Sequence, residues 1–506
     1  MKGLDQKTPI VSTSLANLLS PNCDITARRM VTGLEIRVYN TLTKTIEVFE
    51  PFNPPRVGMY ICGPTVYDYT HVGHARTYVA FDVIKRYLKL RGFEVIHVQN
   101  ITDIDDKIIN RAREEKQDCR VIADIYTKDY LEALEKLNIE VDFHPKATQH
   151  INEMINFISK LIEAGFAYES NGSVYFDVDK FLDYGKLSRR ARGESWRQEE
   201  AFIHEKKRPY DFALWKRAKP DEPSWDSPWG PGRPGWHIEC SVMSSLYLGN
   251  RIDIHGGGVD LIFPHHENEI AQSEARFGVK PWVKYWLHAG YLTIKGEKMS
   301  KSLGNIIPLR DLFAKYKPEA LRLMLALTHY RSTIDFSYEL LEQYEKIYER
   351  LKNCVELLMR IASEENLNFK LTSHEITIAR KIDNELQGFI ESMADDFNGA
   401  KAAVHLHNLI SISHSDVIPS SKADLALRAL SAFKRINQVL AVLDNVFGYK
   451  GYEREFLDKL VKIIVDIRQL HRSRKEYEIA DKIREQLAEL GIKLMDSKSG
   501  TTWIYA

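Results

Sequence analysis

Two histidines spaced three residues apart open the first amphipathic pattern of the chain. The tetrapeptide His71-Val72-Gly73-His74 precedes residues 75–90, whose apolar side chains recur at helical spacing. The start of a helix presents free N–H groups and a positive dipole end to an anion. Histidines at that point can donate hydrogen bonds to phosphate oxygens, and Gly73 lets a base or ribose approach the backbone. The alternative is a pair of histidines that only caps the helix.

Two lysines lie on a glycine-flanked segment later in the chain. The pentapeptide Lys298-Met299-Ser300-Lys301-Ser302 stands between Gly296 and Gly304. A loop of this kind can close over a polyphosphate, where its charge stabilises most as phosphate charge builds in the transition state. The alternative is a solvated basic turn.

A third set of residues combines soft and borderline metal ligands. Cys62 ends an apolar run, Cys240 follows Trp236-His237-Ile238-Glu239, and His265 lies four residues before Glu269. Residues four apart on a helix share one face. Two thiolates, an imidazole and a carboxylate suit Zn²⁺. Because the cysteines are not closely paired in sequence, the alternative is a set of buried structural cysteines.

The composition is that of an ordinary globular protein. The 506 residues are 44% hydrophobic and 28% charged, which provides ample material for a core. Lys and Arg number 70, as do Asp and Glu, so a polybasic binder is excluded but a local RNA-binding surface is not. Five widely spaced cysteines favour a reducing compartment over a disulfide framework. Long apolar runs are absent from the sequence, so we expect no transmembrane helix and a cytoplasmic location, with organellar import through residues 1–33 as the alternative.

The elements that must position these residues begin with a β-α-β unit. Residues 56–62 predict a strand, residues 75–90 a helix, and residues 94–100 a second strand parallel to the first. Such a unit is half of a doubly wound sheet, whose ligand crevice lies at the carboxyl end of the first strand. Residues 251–255 and 286–293 predict further strands.

Between these strands, Pro264 predicts the first turn of a helix that reaches about Phe277. Residues 120–235 predict an insertion, with a hairpin signal at Asn171-Gly172. The basic segment within it, residues 180–220, fits a solvated face or a polyanion contact. The chain then becomes mainly helical, with amphipathic stretches at residues 317–328, 337–363, 376–394, 398–413 and 423–446.

Two features beside the candidate ligands have simpler explanations. Asp103, Asp105 and Asp106 could suggest a metal site, but an acidic helix start is the better interpretation. His266 points off the helix face shared by His265 and Glu269, which predicts a supporting or surface position.

Taken together, the motifs resemble those of class I aminoacyl-tRNA synthetases. Residues 71–74 are similar to the HIGH motif, and residues 298–302 match the KMSKS motif letter for letter. Within that class, residues 34–506 resemble the cysteinyl-tRNA synthetase family; His74 stands where asparagine is also common. Four further segments carry this resemblance: Cys62-Gly63-Pro64-Thr65-Val66-Tyr67-Asp68, Asn100-Ile101-Thr102-Asp103-Ile104-Asp105-Asp106-Lys107, Gly235-Trp236-His237-Ile238-Glu239-Cys240-Ser241 and Phe263-Pro264-His265-His266-Glu267-Asn268-Glu269.

The resemblance implies an α/β fold with a Rossmann-type parallel-sheet catalytic domain, an inserted domain, an α-helical anticodon-binding bundle and a small C-terminal region. The expected divisions are an N-terminal extension at 1–33, the first catalytic half at 34–119, an inserted connective domain at 120–235, the second catalytic half with the KMSKS loop at 236–305, a stem-contact helical region at 306–375, the anticodon-binding bundle at 376–450 and a C-terminal anticodon-recognition region at 451–506.

The resemblance also implies the reaction. An enzyme of this family activates L-cysteine with ATP to cysteinyl-adenylate and transfers it to the 3′-terminal adenosine of tRNA-Cys. By motif match, Cys62, Cys240, His265 and Glu269 hold one zinc ion, which takes the substrate thiolate. A thiophilic ion separates cysteine from serine by chemistry, whereas an apolar pocket separates such isosteres poorly.

The remaining contacts follow from the same resemblance. His71 and His74 are expected to stabilise phosphate charge, and Lys298 and Lys301 to hold the departing pyrophosphate. Cysteine is expected to contact Gly63, Thr102 and Trp236, and the family implies a monomer. ATP, with its Mg²⁺, is expected to contact Thr65, His71, Gly73, His74, Gly256, Gly257, Asp260 and Lys301.

Three other functions share parts of this pattern. A cysteine ligase acting on a small amino-sugar would resemble the catalytic half but would not need the helical region. A non-catalytic RNA-binding relative would not need intact ligand and KMSKS residues. A zinc structural protein would place its cysteines in close pairs.

Overall fold

Four parallel strands form the central sheet of the computed structural model. Its order is β10–β9–β3–β4, so β3 has a neighbour on each side. These strands are β3 (Arg56–Ile61), β4 (Glu94–Gln99), β9 (Ile252–Gly258) and β10 (Val283–Ala289), and a two-stranded antiparallel sheet of β1 (Arg37–Asn40) and β2 (Thr45–Val48) precedes them in the chain. The structure describes residues 34–190, 203–299, 304–363 and 371–448, together with 461–505 apart from 463, 470, 473, 475, 490, 491, 498 and 499.

Helix α1 (Val72–Leu90) crosses from β3 to β4, and its packed face explains why it forms. Val79, Phe81 and Ile84 are fully buried, and the Phe81 ring lies against Gly256 of β9. The helix begins at Val72 rather than at the predicted residue 75, because the side chain of His74 accepts a hydrogen bond from the backbone N–H of His71 and caps the first turn.

The inserted region combines helices with a small antiparallel sheet of order β5–β6–β7–β8. Asn171 and Gly172 both have positive φ, +53° and +81°, which confirms the predicted two-residue hairpin. Its elements are α2 (Asp106–Glu115), α3 (Cys119–Lys136), α4 (Ile151–Glu163), β5 (Ala167–Ser170), β6 (Ser173–Phe176), β7 (Phe212–Arg217) and β8 (Gly232–Pro234).

The return to the central sheet differs from the prediction at two places. Pro264 lies in an irregular turn, Ile262–His266, in which Phe263 is extended, so the regular helix starts only at Glu267. The predicted strand over 286–293 is divided at Gly290, where a side chain would collide with the carbonyl oxygens of Arg331 and Ser332. The elements here are α5 (Trp236–Leu248), α6 (Glu267–Phe277), β11 (Leu292–Ile294), β12 (Glu297–Lys298) and β13 (Ile334–Asp335).

The chain divides into two compact units, the first ending at Val442 and the second beginning at Leu443, and the following helices complete the first unit. The predicted helix over 423–446 ends at Leu440, because Ala441 adopts a left-handed conformation. The helices are α7 (Leu309–Phe313), α8 (Pro318–Ala326), α9 (Tyr338–Ala362), α10 (Ser373–Ala394), α11 (Gly399–Ile412), α12 (Ile418–Ser420) and α13 (Ala423–Leu440).

The second unit has its own small core of Val461, Val465, Leu487 and Leu494. An antiparallel hairpin forms the strand-like end predicted for this region. Its elements are α14 (Asp444–Phe447), α15 (Tyr477–Glu489), β14 (Ile492–Ser497) and β15 (Gly500–Tyr505). Across both units, a helix with the length and apolarity needed to cross a bilayer does not occur among the described residues.

Arg76 fastens α1 to the segment that follows α8. Its guanidinium is 1% exposed and donates to the carbonyl oxygens of Leu325, His329, Tyr330 and Ser332 at 2.6–3.3 Å. Burial lowers the pKa of Arg76 to about 10, so the side chain stays charged at neutral pH. The same segment leads into β13, which pairs with β11. One side chain therefore links the helix that carries His71 and His74 to the strands that precede residues 300–303.

Replacing Arg76 with leucine should lower the free energy of unfolding by at least about 2 kcal/mol, because four carbonyl groups, two of them on the buried residues Leu325 and Tyr330, lose their donor. Chemical denaturation followed by circular dichroism measures the change. Arg56→Ala is the control: that side chain is 78% exposed and makes one ion pair of 3.7 Å, so the loss should stay below about 1 kcal/mol. Equal stabilities for the two variants would contradict a fastening role for Arg76.

Candidate active site and metal site

The carboxyl ends of the central strands open into one cavity of about 610 Å³. Parallel strands bring their carboxyl ends to the same edge of a sheet, which is where ligands bind in such folds. Nine residues singled out from the sequence line this cavity: Cys62, Gly63, Thr65, His71, Gly73, His74, Trp236, Asp260 and Lys298. Lys301 falls outside the described residues.

Cys62 also belongs to a buried cluster behind the cavity wall. Its ligand atom and those of Cys240, His265 and Glu269 all lie within 4.8 Å of one another. The Sγ atoms of the two cysteines are 3.8 Å apart, and Cys62 Sγ is 3.6 Å from Glu269 Oε1. His265 Nε2 is 3.1 Å from that same oxygen. Sequence positions more than 200 residues apart thus meet at one point.

These separations fit a tetrahedral ion. With about 2.3 Å to sulfur and about 2.0 Å to nitrogen or oxygen, such an ion would hold its ligand atoms roughly 3.3–3.8 Å apart. Burial raises the pKa of both thiols, with Cys62 shifted furthest, and raises that of Glu269 to about 7. The interior alone therefore favours the neutral groups, whereas a divalent cation favours the thiolates and the carboxylate. The cluster has the chemistry of a metal site.

A second set of four ligands overlaps the first and shares two members with it. Cys62 and Glu269 also lie close to His255 and His266. However, Glu269 Oε2 already accepts a 2.8 Å hydrogen bond from His255 Nε2, while Oε1 faces the first set. Metal-binding carboxylates are commonly held in this way through their outer oxygen. The geometry therefore favours Cys240 and His265 as ligands and His255 as the residue that orients Glu269.

The same supporting layer includes three more histidines. His237 Nδ1 is 2.9 Å from His265 Nδ1, which leaves His265 Nε2 directed at the ligand cluster. His266 Nδ1 contacts His288 Nε2 at 2.8 Å, and His266 Nε2 lies 3.3 Å from Cys62 Sγ. His266 is fully buried, so the surface position considered for it is wrong, while its supporting role stays a prediction. His237, His255 and His288 had no role assigned from the sequence. The only feature of the sequence that could have indicated a role for these three histidines is that each lies in a mainly apolar element.

The wall between the cluster and the cavity is formed by Gly63 and its neighbours. A Cβ atom at Gly63 would lie 1.7 Å from the carbonyl oxygen of Asn100, so no side chain fits. The Asn100 side chain accepts from Gly63 N at 2.8 Å and donates to Thr102 Oγ1 at 3.2 Å. Thr102 in turn donates to Glu239 at 2.7 Å. Thr102 is thus buried beside the cavity rather than lining it.

His71 and His74 stand at the cavity mouth with their rings stacked at 3.8 Å. The capping interaction considered from the sequence is present, and it holds both rings at the cavity. Burial, with the nearby charges of His71 and Lys107, lowers the pKa of His74 well below its usual range. His74 is therefore a neutral hydrogen-bonding group at neutral pH, not a cation.

The start of the KMSKS-like segment lies across this helix terminus. Lys298 Nζ is 3.7 Å from Asp260 Oδ2 and sits 4.5 Å from the centre of the Tyr291 ring. A Cβ atom at Gly73 would come within 2.7 Å of Met299 Cε. Glycine at position 73 therefore permits the close approach of the two motifs.

Gly256 and Gly257 end β9 under the cavity but do not line it. A side chain at Gly256 would overlap the Phe81 ring, and one at Gly257 would meet Leu261. Packing accounts for both glycines, and Gly258 is the glycine of this run that reaches the cavity. The nucleotide contacts assigned to Gly256 and Gly257 stay predictions.

Comparison with known proteins identifies relatives that agree with one another in family. Residues 48–346 match the family described as tRNA synthetases class I (C) catalytic domain. The cysteine–tRNA ligase of Aeropyrum pernix is 55% identical over 469 residues, covering 92% of this chain and 99% of that protein. The cysteine–tRNA ligase of Staphylothermus marinus is 53% identical over 471 residues, covering 93% and 99%.

Solved structures share the fold at low identity. The Mycobacterium tuberculosis methionyl-tRNA synthetase in complex with methionyl-adenylate has a TM-score of 0.57 and 15% identity, covering 77% of this chain and 91% of that one. A LeuRS of Agrobacterium radiobacter has a TM-score of 0.59 and 10% identity, covering 80% and 86%. The predicted α/β class I architecture is thereby confirmed.

Metal content separates the two overlapping ligand sets. Cys240→Ser should reduce bound metal from about one ion per chain to a small fraction of that, because a hydroxyl is a poor ligand for a thiophilic ion. Elemental analysis of the purified protein measures this. Cys354→Ser, a change at a fully buried cysteine of α9, should leave the metal content unchanged. Full metal retention in Cys240→Ser would instead place the ion between Cys62, His255, His266 and Glu269.

Proposed function

The chain belongs to the cysteine–tRNA ligase family of class I tRNA synthetases, and we propose that it selects cysteine through a zinc ion held by Cys62, Cys240, His265 and Glu269. Ligation of cysteine to tRNA is the activity that the full-length relatives carry, and it is the activity of this chain. The observation that supports the zinc proposal is the position of Cys62. It belongs both to the buried cluster and to the lining of the cavity, so an ion in the cluster is reachable by a substrate.

Zinc, when bound there, would supply a thiophilic Lewis acid that distinguishes a thiol from a hydroxyl. The chain's own residues shape the space around it. Trp236 lines the cavity and stacks on the His265 ring at 4.2 Å, which fixes that ligand and excludes a larger amino acid. Gly63 lines the cavity beside Cys62, and its close contact with the Asn100 backbone excludes any side chain at that position.

The phosphates of Mg-ATP are proposed to bind at the start of α1. The N–H groups of the first turn and the rings of His71 and His74 provide hydrogen-bond donors there. Lys298 would leave Asp260 to follow the departing pyrophosphate, with Lys301 as its companion from the same motif. Thr65, Gly73 and Asp260 line the same cavity. The reaction then needs positioning and electrostatic stabilisation rather than a protein nucleophile.

The tRNA-binding regions are proposed from the resemblance. Helices α7–α9, within residues 306–375, would contact the tRNA stem, helices α10–α13 would form the anticodon-binding bundle, and residues 451–506 would read anticodon bases. The exposed edges of unpaired bases are the usual source of sequence specificity in RNA recognition. A monomer, as in the family, is the proposed state.

Charging of an unmodified tRNA-Cys transcript tests the proposal directly. Cysteine with ATP should yield aminoacyl-tRNA, and serine should give a rate lower by at least about a thousandfold, because serine lacks a thiolate for the ion. Preincubation with a zinc chelator should abolish charging by cysteine, and added zinc should restore it. Acid-gel separation of charged tRNA provides the measurement.

Two outcomes would redirect the assignment. Cysteine-dependent pyrophosphate exchange without tRNA charging would favour a ligase acting on a small acceptor. Equal use of cysteine and serine, or full activity after complete zinc removal, would overturn the zinc-based selection while leaving the ligase activity in place.

A further inference from the structure

Lys107 is a cavity-lining cation that neither motif contains. It lies in the first turn of α2 and shares the cavity wall with Tyr67, His71 and His74. Among the described residues that line the cavity, Lys107 and Lys298 are the only lysines, and arginine does not occur. Among the described lining residues, the permanent positive charge therefore rests on these two side chains.

The acidic residues next to Lys107 in sequence are engaged elsewhere. Asp103 accepts from the backbone and hydroxyl groups of Thr148 at 2.9 and 2.6 Å. Asp105 caps α2 by accepting from the backbone N–H of Lys107 at 3.0 Å. Asp106 binds Lys216 at 3.0 Å and also pairs with Arg233. All three carboxylates thus serve the fold.

The ammonium group itself contacts an aromatic face. Lys107 Nζ lies 5.4 Å from the centre of the Tyr67 ring, and no ion pair involves it within the described ranges. By contrast, Lys298 is paired with Asp260. A cation near an aromatic face keeps a defined direction without having its charge neutralised. Lys107 is therefore available to an anionic ligand in the cavity.

We propose that Lys107 binds phosphate oxygens of ATP and supplies a fixed positive charge beside His71 and His74. This inference rests on the proposed function. The argument is one of complementary charge: His74 is neutral in this site, and Lys298 has its own carboxylate partner, while bound ATP is strongly anionic. Lys107 keeps its proton throughout and forms no covalent bond, so its contribution is electrostatic.

Two other anionic groups enter the same cavity in the proposed reaction. The cysteine carboxylate and the 3′ end of the tRNA both reach the reacting phosphorus or its product. Lys107 lines the same cavity as His71 and His74, at the helix terminus proposed for the phosphates, and this position favours ATP over either of them. Separate Michaelis constants for ATP, cysteine and tRNA distinguish the three sources.

The test compares Lys107→Met and Lys107→Arg in the full zinc-loaded chain. For Lys107→Met, the KM for ATP in cysteine-dependent pyrophosphate exchange should rise at least about tenfold, because a charge-assisted hydrogen bond is lost. The KM values for cysteine and tRNA should change less than about twofold. Lys107→Arg, which keeps the charge, should recover most of the ATP affinity.

A matched control and a direct binding measurement complete the design. Lys128→Met removes a lysine from α3 that is 80% exposed and pairs only with Glu132, and it should leave every constant unchanged. Zinc content and thermal midpoint of Lys107→Met should equal those of the wild type. Equilibrium dialysis with a non-hydrolysable ATP analogue should show the same loss of affinity as the kinetics.

Three results would overturn the inference. They are an unchanged ATP affinity in Lys107→Met, a rise confined to the KM for cysteine, and a defect confined to transfer onto tRNA. If the wild type lacked cysteine-dependent exchange, the proposed function would fail. The dialysis comparison would still decide whether Lys107 binds phosphate.

Discussion

The parallel pairing of β3 with both β4 and β9 is the constraint on which the site depends. The pairing continues past the end of β3, because the backbone N–H of Cys62 donates to the carbonyl oxygen of Gly256 at 3.0 Å. This bond fixes Cys62 at the point where the chain leaves the sheet. On one side Gly63 meets Asn100 beyond β4, and on the other the glycines of β9 lead to Asp260. A shift of one residue in either pairing would send Cys62 to the opposite face of the sheet.

The buried cluster adds an energetic constraint to this geometry. Cys62 is 5% exposed, and Cys240, His265 and Glu269 are 2% exposed or less. Uncompensated thiolates and a carboxylate in such an interior cost several kcal/mol each. The supporting histidines cannot offset that cost, since burial keeps His255 and His288 neutral with a pKa of about 3. A divalent cation can offset this cost, because it stabilises the deprotonated ligands. Metal binding would therefore stabilise the folded chain, and folding would in turn assemble the metal ligands.

Sequence reasoning succeeded where a local pattern carries the structure, and it missed contacts that join distant segments. The β-α-β unit and the Asn171-Gly172 hairpin follow from periodicity and turn chemistry, and the proposed zinc ligands came from motif resemblance rather than spacing. The contact between His255 and Glu269 has no such signal, because a histidine in a buried strand is compatible with packing alone. In the sequence, Arg76 is simply one charged residue of a predicted helix. In the structure it donates to carbonyl groups that are about 250 positions later in the chain. The helix start predicted at Pro264 was wrong for a related reason. Residues Ile262–His266 form an irregular turn, and the regular helix α6 begins only at Glu267. In this turn His265 lies close to Cys240, so tertiary contacts override the usual preference of proline for the first turn of a helix.

The two halves of the cavity differ in burial, which suits two different means of recognition. In the half proposed to bind cysteine, the candidate metal ligands are buried and held by hydrogen-bonded histidines, an arrangement that suits discrimination by chemistry at short range. The half proposed to bind the phosphates of ATP is partly exposed: Lys298 and Asp260 are each more than half accessible to solvent, and Lys107 lies on the surface of α2. Charges in that setting are screened and hold a ligand without fixing its geometry. Such a division suits a substrate pair in which cysteine must be distinguished from serine by one atom, whereas ATP must be bound, polarised and then released as pyrophosphate.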